Sequence, residues 1–492
     1  MKRNIFKALA VVALAASLTS CGDDFLETKN YKGVDVDNGL SNATAVANAV
    51  NGEYYWLHDY RFAGNFAINI GEIPTDIAYW NAGTDHFNDI YQFTFTDQDN
   101  YLYGIWKYGN KVVDNSARAI KAAKNLYGAS SEEDKVTLDV AMGEAYALRG
   151  YANLLMVNVY GHQIKVDGQD FSSQPGLVIS DEPIAAFQEV ERSTVGQTYD
   201  AIVSDFKASL ENFAAAGGDQ KQAVYFTKAA VEGLLARTYL YMENFDEAYS
   251  YAQKALADAN ITSLATTAAE YKALYNTTGS NKESLFYLAI NAKDNFSANS
   301  NGTLWSTYGY LPSPKLRKMY GANDCRTAIF NYSTTNGVEF FEGGKFSDFQ
   351  SGNSANATNY LVNASEMFLI EAEAKLRSAN PDLAAAKAAL LVVAKRNADI
   401  HTVNDLPATK EGLFSFLKDE RARELFQEGH RLWDLRRWNE KASVYAYGAP
   451  EVKYTYNNYN ISDLVFPIPV DEIDSGFGVA QNDWSKTLPK AN

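Results

Sequence analysis

Apolar residues recur at helical spacing through most of this chain. Residues 136–160 (VTLDVAMGEAYALRGYANLLMVNVY) form an amphipathic run, preceded by Ser130-x-x-Glu133, a reciprocal cap for the first free amides, and followed by Gly161. That pattern predicts one helix with both ends marked. Thr194 opens another through Val195, Ile202, Phe206, Leu210 and Phe213, Thr227 a third through Leu234, Leu235 and Tyr239, and Asn244-x-x-Glu247 caps the next. Two stretches break the period. Residues 261–360 are rich in Asn, Ser, Thr, Gly and aromatics, and residues 439–492 hold Tyr445, Tyr447, Tyr454, Tyr456 and Tyr459 among turn formers. Loops this long inside a folded body are usually functional or packed as coverings. No Pro-, Gly- or Ser-rich linker divides the chain. A single body over 21–492 is therefore expected, with helices over about 40–260 and 361–438 and loop-rich insertions over about 261–360 and 439–492.

Residues 235–260 are the most informative for architecture. Ala236 stands where two helices must touch, Tyr239 follows three residues later, Phe245 lies in the turn, and Ala248, Ala252 and Ala255 mark the inner face of the second helix. The segment resembles the tetratricopeptide repeat, with Asn260 in place of the usual proline. Alanines at this spacing let one helix lie in the groove of its neighbour. A degenerate copy spans 364–397. There Leu369, Ala372 and Leu376 precede a turn at Asn380-Pro381, with the proline read as the first residue of the helix carrying Ala385, Ala388 and Ala389.

Charge narrows the partners. The 492 residues carry 44 Lys and Arg against 60 Asp and Glu, a formal net charge of −16. Such an excess repels phosphate backbones, so no nucleic acid partner is expected. Tyr at 32 outnumbers Phe at 26, which suits wet recognition surfaces. The N-terminus points to export: Lys2, Arg3 and Lys7 flank an apolar run over 8–18 too short to span a bilayer, so residues 1–20 read as a signal peptide. Leu18-Thr19-Ser20-Cys21 resembles the bacterial lipobox, which makes Cys21 the expected lipidation site and the lipid the membrane anchor. The acidic stretch after it, Gly22-Asp23-Asp24 and Glu27, resembles the export signal of Bacteroidetes lipoproteins bound for the outer face of the outer membrane. The one other cysteine, Cys325, is expected to be a buried small hydrophobe.

The run Glu420-Arg421-Ala422-Arg423-Glu424-Leu425-Phe426-Gln427-Glu428-Gly429-His430-Arg431-Leu432-Trp433-Asp434-Leu435-Arg436-Arg437-Trp438 resembles the C-terminal hallmark of the SusD/RagB family of outer-membrane nutrient-binding lipoproteins. So do Phe466-Pro467-Ile468-Pro469-Val470-Asp471-Glu472-Ile473, the Asp24-Phe25-Leu26 that follows the lipobox, and Tyr310-Leu311-Pro312-Ser313-Pro314 leading to Tyr320, Asp324 and Arg326. Gln481-Asn482-Asp483-Trp484 departs from the family's common proline, glycine and aromatic residue. The resemblance implies a mostly α, SusD-like α-helical body with tetratricopeptide-type helix pairs and a loop-rich covering with little β. It implies a cell-surface protein that binds a glycan or oligosaccharide as the lid of a SusC-like TonB-dependent transporter, or, in the manner of RagB-like members, a peptide. Read from the residues themselves, the hallmark is a structural clasp. Glu420, Arg423, Glu424 and Glu428 can pair on one helix face, Leu417, Leu425 and Phe426 serve the other, Gly429 ends the helix, and the stretch from Trp433 to Trp438 continues the cover.

Catalytic constellations are missing. His58, His86, His162, His401 and His430 share no His-x-x-x-His spacing, so no zinc site is expected. Asp35-Val36-Asp37-Asn38 and Asp97-Gln98-Asp99-Asn100 begin like calcium loops, but Leu40 and Leu102 stand where glycine is required and Val46 and Tyr108 at the twelfth position, so neither is an EF-hand and a loop-bound calcium is left as an open alternative without support in the pattern. No Gly-x-Ser-x-Gly or Walker loop occurs. The expectation is a protein that is not an enzyme and holds no cofactor, with a helical glycosidase as the enzyme alternative. Sugar capture needs flat apolar faces with amides or carboxylates beside them. Two loop clusters supply these: Asp76, Tyr79, Trp80 and Asn81 with Asp85, and Trp305, Tyr308 and Tyr310. Trp80 and Trp305 are expected as stacking platforms, and Trp106, in a helical pattern with Ile105 and Val113, as core.

Overall fold

The computed structural model describes residues 39–276, 279–349, 351–448 and 453–490. The fold is mostly α: sixteen α-helices and five two-stranded antiparallel pairs are present among the described residues. Local chemistry sets most helix starts. Helix α1 (Ala43–His58) begins where the Asn42 side chain accepts the Ala45 amide at 2.9 Å, and α2 (Asn100–Tyr127) where Asp99 accepts those of Tyr101 and Leu102. Helix α3 (Glu132–Tyr160) starts one residue later than the sequence pattern suggests. Ser131 is its cap, accepting from Asp134, while Ser130 turns back to donate to the Leu126 carbonyl and close α2. Thr194 and Gln197 form a complete capping box on α4 (Val195–Ala215), at 3.1 and 2.9 Å.

Helices α5 (Lys228–Tyr241) and α6 (Phe245–Asp258) are the tetratricopeptide-like pair. Ala236, Ala248, Ala252 and Ala255 are fully buried, so the two backbones approach closely. The second pair is α7 (Ala364–Arg377) and α8 (Leu383–Ala394). Pro381 lies just outside α8; Asp382 caps it, because a carboxylate can hold the amides of Ala384 and Ala385 and a proline ring cannot. Helices α1 to α3 pack on one another, α4 on α3 and α5, α6 on α5 and α7, and α9 (Lys410–Glu424) on α7 and α8. Cys325 is buried in a small satellite cluster with Tyr271 and Tyr275, where desolvation pushes its thiol up to about 12.

The clasp is internal. Arg326 joins Asp324, Glu420 and Glu424; Arg421 joins Asp434; Arg437 and the Trp438 indole both reach Glu373. All of these residues are buried, so each charge depends on its partner. Helix α9 ends at Glu424, ahead of Gly429. Gly429 is needed for another reason: at φ +76° its backbone passes so close to α-turn residues 66–69 that a Cβ would stand 2.5 Å from the Ile68 carbonyl oxygen.

One strand pair positions the site. Strand β1 (Ala78–Trp80) runs antiparallel to β2 (Tyr310–Pro312), with Trp80 opposite Tyr310 and Tyr79 opposite Leu311. The two loop clusters singled out in the sequence therefore meet. Beside them stand the hairpin β3 (Tyr332–Thr335) with β4 (Val338–Phe341), turned at Asn336-Gly337 with both residues at positive φ, and the pair β5 (Lys441–Tyr445) with β6 (Tyr454–Asn460).

Candidate functional site

Within this junction the expected platform tryptophans are not presented to solvent. Trp305 has no exposed surface; its indole N–H donates to Asn69 Oδ1 at 3.0 Å, and its ring meets Tyr310 and Phe426 edge-on. Trp80 is 4 % exposed, stacked over Tyr310 and roofed by Tyr447 at 5.2 Å between ring centroids. Aromatic-rich loops bury their largest rings because each removes much apolar area from water, about 25 cal/mol per Å². Tyr310 is equally buried and donates its hydroxyl to the His86 carbonyl at 2.8 Å.

Two polar residues of the expected set also serve the scaffold. Asp76 is buried against Arg431, at 2.8 Å to each carboxylate oxygen, and against Lys315. Burial alone would raise its pKa, but those two cations outweigh it and hold the carboxyl well below the usual carboxylate range. Asn81 donates to the Glu339 carbonyl at 2.7 Å and accepts the Gly83 amide at 2.8 Å, which ties the β3–β4 hairpin to β1. Its approach requires Gly309, whose φ is +85° and where a Cβ would come within 1.9 Å of Asn81 Oδ1. Tyr79, half-buried, meets Tyr445 edge-on.

Tyr308, partly exposed, is the aromatic member of the set that lines a cleft. Its ring lies flat on the His86 imidazole, 3.7 Å between centroids and 10° between planes. The pair stands at the edge of a cleft of about 500 Å³. Phe87 and Tyr101, stacked at 3.9 Å, line it together with Phe66, which meets both edge-on. Asp85, Asn88, Asp89, Gln98 and Asn299 bring polar groups to the same space, and among the described residues no Lys or Arg lines it. The loop is held in shape from within. Phe87 sits at φ +56° with its amide donating to the Tyr101 hydroxyl at 3.0 Å, and the Thr94 hydroxyl donates to Asp89 at 2.8 Å. The facing segment is anchored by Asn65, which donates to the Asn299 carbonyl at 2.8 Å.

Burial shifts the pKa of His86 and of Asp99, both of which line this cleft. Burial lowers the His86 pKa, with Asp85 pulling the other way, so the imidazole is neutral at neutral pH. Burial also raises Asp99 to about 6, partly offset by the amides it caps. Asp99 is thus a helix cap at the cleft edge rather than the third residue of a calcium loop; the other such loop, at Asp35, lies outside the described residues, as does Cys21. Among the described residues no three His, Cys, Asp or Glu side chains converge as a metal cage would require. His86, Phe87 and Tyr101 were missed in the sequence because their partners come from distant positions; the recoverable signal was Asp99, a helix cap adjacent to the aromatic run Tyr101-x-Tyr103.

Comparison with known proteins gives a consistent picture. A model of the SusD family matches residues 318–484, and one described as starch-binding associating with outer membrane matches residues 24–240. A SusD-like protein of Formosa agariphila is 22% identical over 357 residues, covering 62% of this chain and 67% of that one. The crystal structure of a SusD superfamily protein of Bacteroides thetaiotaomicron superposes with a TM-score of 0.78 at 20% identity, covering 90% of this chain and 99% of that one. A SusD-like carbohydrate binding protein of Bacteroides vulgatus superposes at 0.68 with 20% identity, over 82% and 85% of the two chains.

Proposed function

This chain belongs to the SusD-like family, and from that premise we propose that it captures neutral oligosaccharides at the cell surface, in the cleft beside the His86–Tyr308 pair. The observation that carries the reading is the composition of that cleft: the partly exposed rings of Tyr101 and Tyr308 with carboxylates and amides around them, and no cation among the described residues that line it. A sugar ring laid on a face of either removes ~80 Å² of apolar area from water, worth roughly 2 kcal/mol. The amides and carboxylates accept and donate to the hydroxyls at its edge. Sulfated or uronate-rich glycans meet Asp85 and Asp89 with nothing to neutralise them. Association itself costs at least about 4 kcal/mol, so the dissociation constant falls on the order of 10 μM to 1 mM.

Weak capture suits a lid that hands its cargo to a SusC-like TonB-dependent transporter, with Cys21 lipidated in the outer membrane and the body facing outward. The protein binds without cutting. Calorimetry on the soluble mature chain, titrated with neutral and uronate-containing oligosaccharides, tests this. Tyr308→Ala is expected to weaken neutral-glycan binding about tenfold with an unchanged melting temperature, since a partly exposed ring contributes little to folding. Equal binding by wild type and Y308A, preference for uronates, or tighter binding of short peptides at this cleft would each overturn the reading.

A further inference from the structure

Helices α1 and α2 form a basic face on an acidic protein. Together they carry Lys107, Lys111, Arg118, Lys121 and Lys124 against two carboxylates, Glu53 and Asp114, in a chain whose formal net charge is −16. Both carboxylates are engaged. Glu53 is buried and accepts the Ser116 hydroxyl, and Asp114 pairs with Arg118 at 2.8 Å. Lys107 and Lys111 stand four residues apart, so they share one side of α2, and among the described residues no carboxylate pairs with either.

Aromatic rings lie among these cations. Tyr55 is 64 % exposed and meets Trp56 edge-on at 5.1 Å; Trp56 in turn meets Tyr108 at 5.8 Å. The Lys111 ammonium lies 3.9 Å from the centroid of the Trp56 ring, and the Arg61 guanidinium 4.0 Å from that of Tyr108. Lys107 donates to the Tyr103 hydroxyl at 3.0 Å. A sugar needs a bare ring face to stack on, whereas a cation already lies over Trp56 and another over Tyr108. Protein interfaces are depleted in lysine. Tyr and Trp rings interleaved with lysine stems instead match the level of lipid headgroups, where an amphipathic side chain has one end apolar and the other wet.

We propose that this face rests on a bilayer surface rich in anionic headgroups. The inference rests on the outer-membrane anchoring proposed above and not on the ligand cleft. Of the numbered helices, α1 lies nearest in sequence to the expected lipid: Cys21 precedes Ala43 by 22 residues, which reach at most about 75 Å. An anionic surface repels a body this acidic, and least so in the orientation that presents its unpaired lysines. The lipid then sets the distance from the membrane, and the α1–α2 face sets the orientation. Tyr60 lies against Arg61 at 4.9 Å and also lines the first cleft, so docking on this face brings the edge of that cleft toward the membrane.

The test couples the full mature chain through Cys21 to a maleimide lipid, since Cys325, the one other cysteine, is buried. The vesicles are phosphatidylcholine with one-third phosphatidylglycerol, or phosphatidylcholine alone, and carry brominated acyl chains that quench an indole seated at the headgroups. Quenching is expected on the anionic vesicles at low salt, and Trp56→Phe should remove it. A lysine near an anionic surface is worth about fivefold, so Lys107→Gln with Lys111→Gln should lower the docked-to-free ratio at least about tenfold, at an unchanged melting temperature. Lys395→Gln with Lys410→Gln makes the same charge change on exposed residues after α8 and at the start of α9, and should leave docking as in wild type, as should Y308A. No quenching on anionic vesicles, equal quenching on neutral ones, quenching that W56F retains, or docking that K107Q/K111Q leaves intact overturns the proposal. Binding of polyglutamate without docking on anionic vesicles would assign the face to an acidic protein and overturn it as well. Because the tether here is chemical, failure of the native anchor is read separately, in cells, as a Cys21→Ala protein that stays on the membrane; failure of the cleft is read by calorimetry.

Discussion

In the clasp over 420–438, carboxylates and guanidiniums meet inside the protein: Glu420 with Arg326 and Arg423, Asp434 with Arg421, Glu373 with Arg437. In the cleft beside Tyr308, Asp85 and Asp89 face solvent with no Lys or Arg among the described residues that line it. The rings divide in the same way. Trp305 and Trp438 are enclosed and spend their indole N–H on buried acceptors, Asn69 and Glu373, whereas Tyr308 stacks on His86, stays partly exposed and lines the cleft. The same residue types thus hold the fold in one place and, in the proposed function, meet the ligand in the other. What separates the two uses is whether each carboxylate already has a counter-charge beside it.

That distinction predicts opposite responses to substitution. The largest expected effect is at Trp305. Because it is enclosed and hydrogen-bonded, Trp305→Ala should cost about 3–5 kcal/mol of stability by chemical denaturation. Glycan affinity measured on the fraction that remains folded should be unchanged. A W305A protein as stable as wild type with weakened binding would place this ring at the ligand and dissolve the contrast.

A smaller effect appears in acid. Burial alone would raise the Glu420 pKa, but Arg326 and Arg423 outweigh it and hold it at about 2, below the ordinary 4.5. A depressed carboxylate stabilises the fold fully above pH 4.5, and that contribution is lost as pH falls toward 2. It amounts to about 3 kcal/mol for a fully buried group. Glu420→Gln should therefore lower stability near neutrality and flatten the fall between pH 4.5 and 2 in urea titrations at stepped pH. An identical slope in both proteins would mean that the clasp is not what titrates.

The clasp was legible in the sequence and the cleft only in part, for a physical reason. Charges at 3- and 4-residue spacing on a helix must lie on one face, so Glu420 and Arg423 could be paired without a structure. Helix starts were legible wherever one residue could cap, as at Thr194. They slipped where two adjacent residues could, as at Ser130 and Ser131, because backbone geometry alone chooses between them. Whether a loop ring is roofed is decided by partners far along the chain. Tyr447 covers Trp80, and Asn69 receives Trp305, through contacts that no local pattern encodes. Tyr308 stands in the sequence beside Trp305, but nothing local to His86 announces that a ring from the end of the paired strand, more than two hundred residues on, will stack on it.

The smallest effect is also the most selective. Asp85 is exposed at the cleft and holds no part of the scaffold, so changing it should alter which ligands are tolerated and leave the fold alone. Asp85→Lys replaces a repulsive charge with an attractive one for uronate-bearing oligosaccharides. Exposed charge pairs are worth a few tenths to about 1 kcal/mol, so uronate binding should strengthen about two- to fivefold. Neutral oligosaccharides, which meet Asp85 only through hydroxyls, should lose no more than about twofold. Salt separates charge from shape: screening shortens to roughly 3 Å at 1 M ionic strength, so the uronate gain should vanish there while neutral binding persists. Calorimetry of D85K with both ligand types at low and high salt reads all four cases. A uniform loss for both types, independent of salt, would mean that Asp85 shapes the cleft as Asp76 shapes the scaffold, and the division between carboxylates with and without a counter-charge would not hold at this residue.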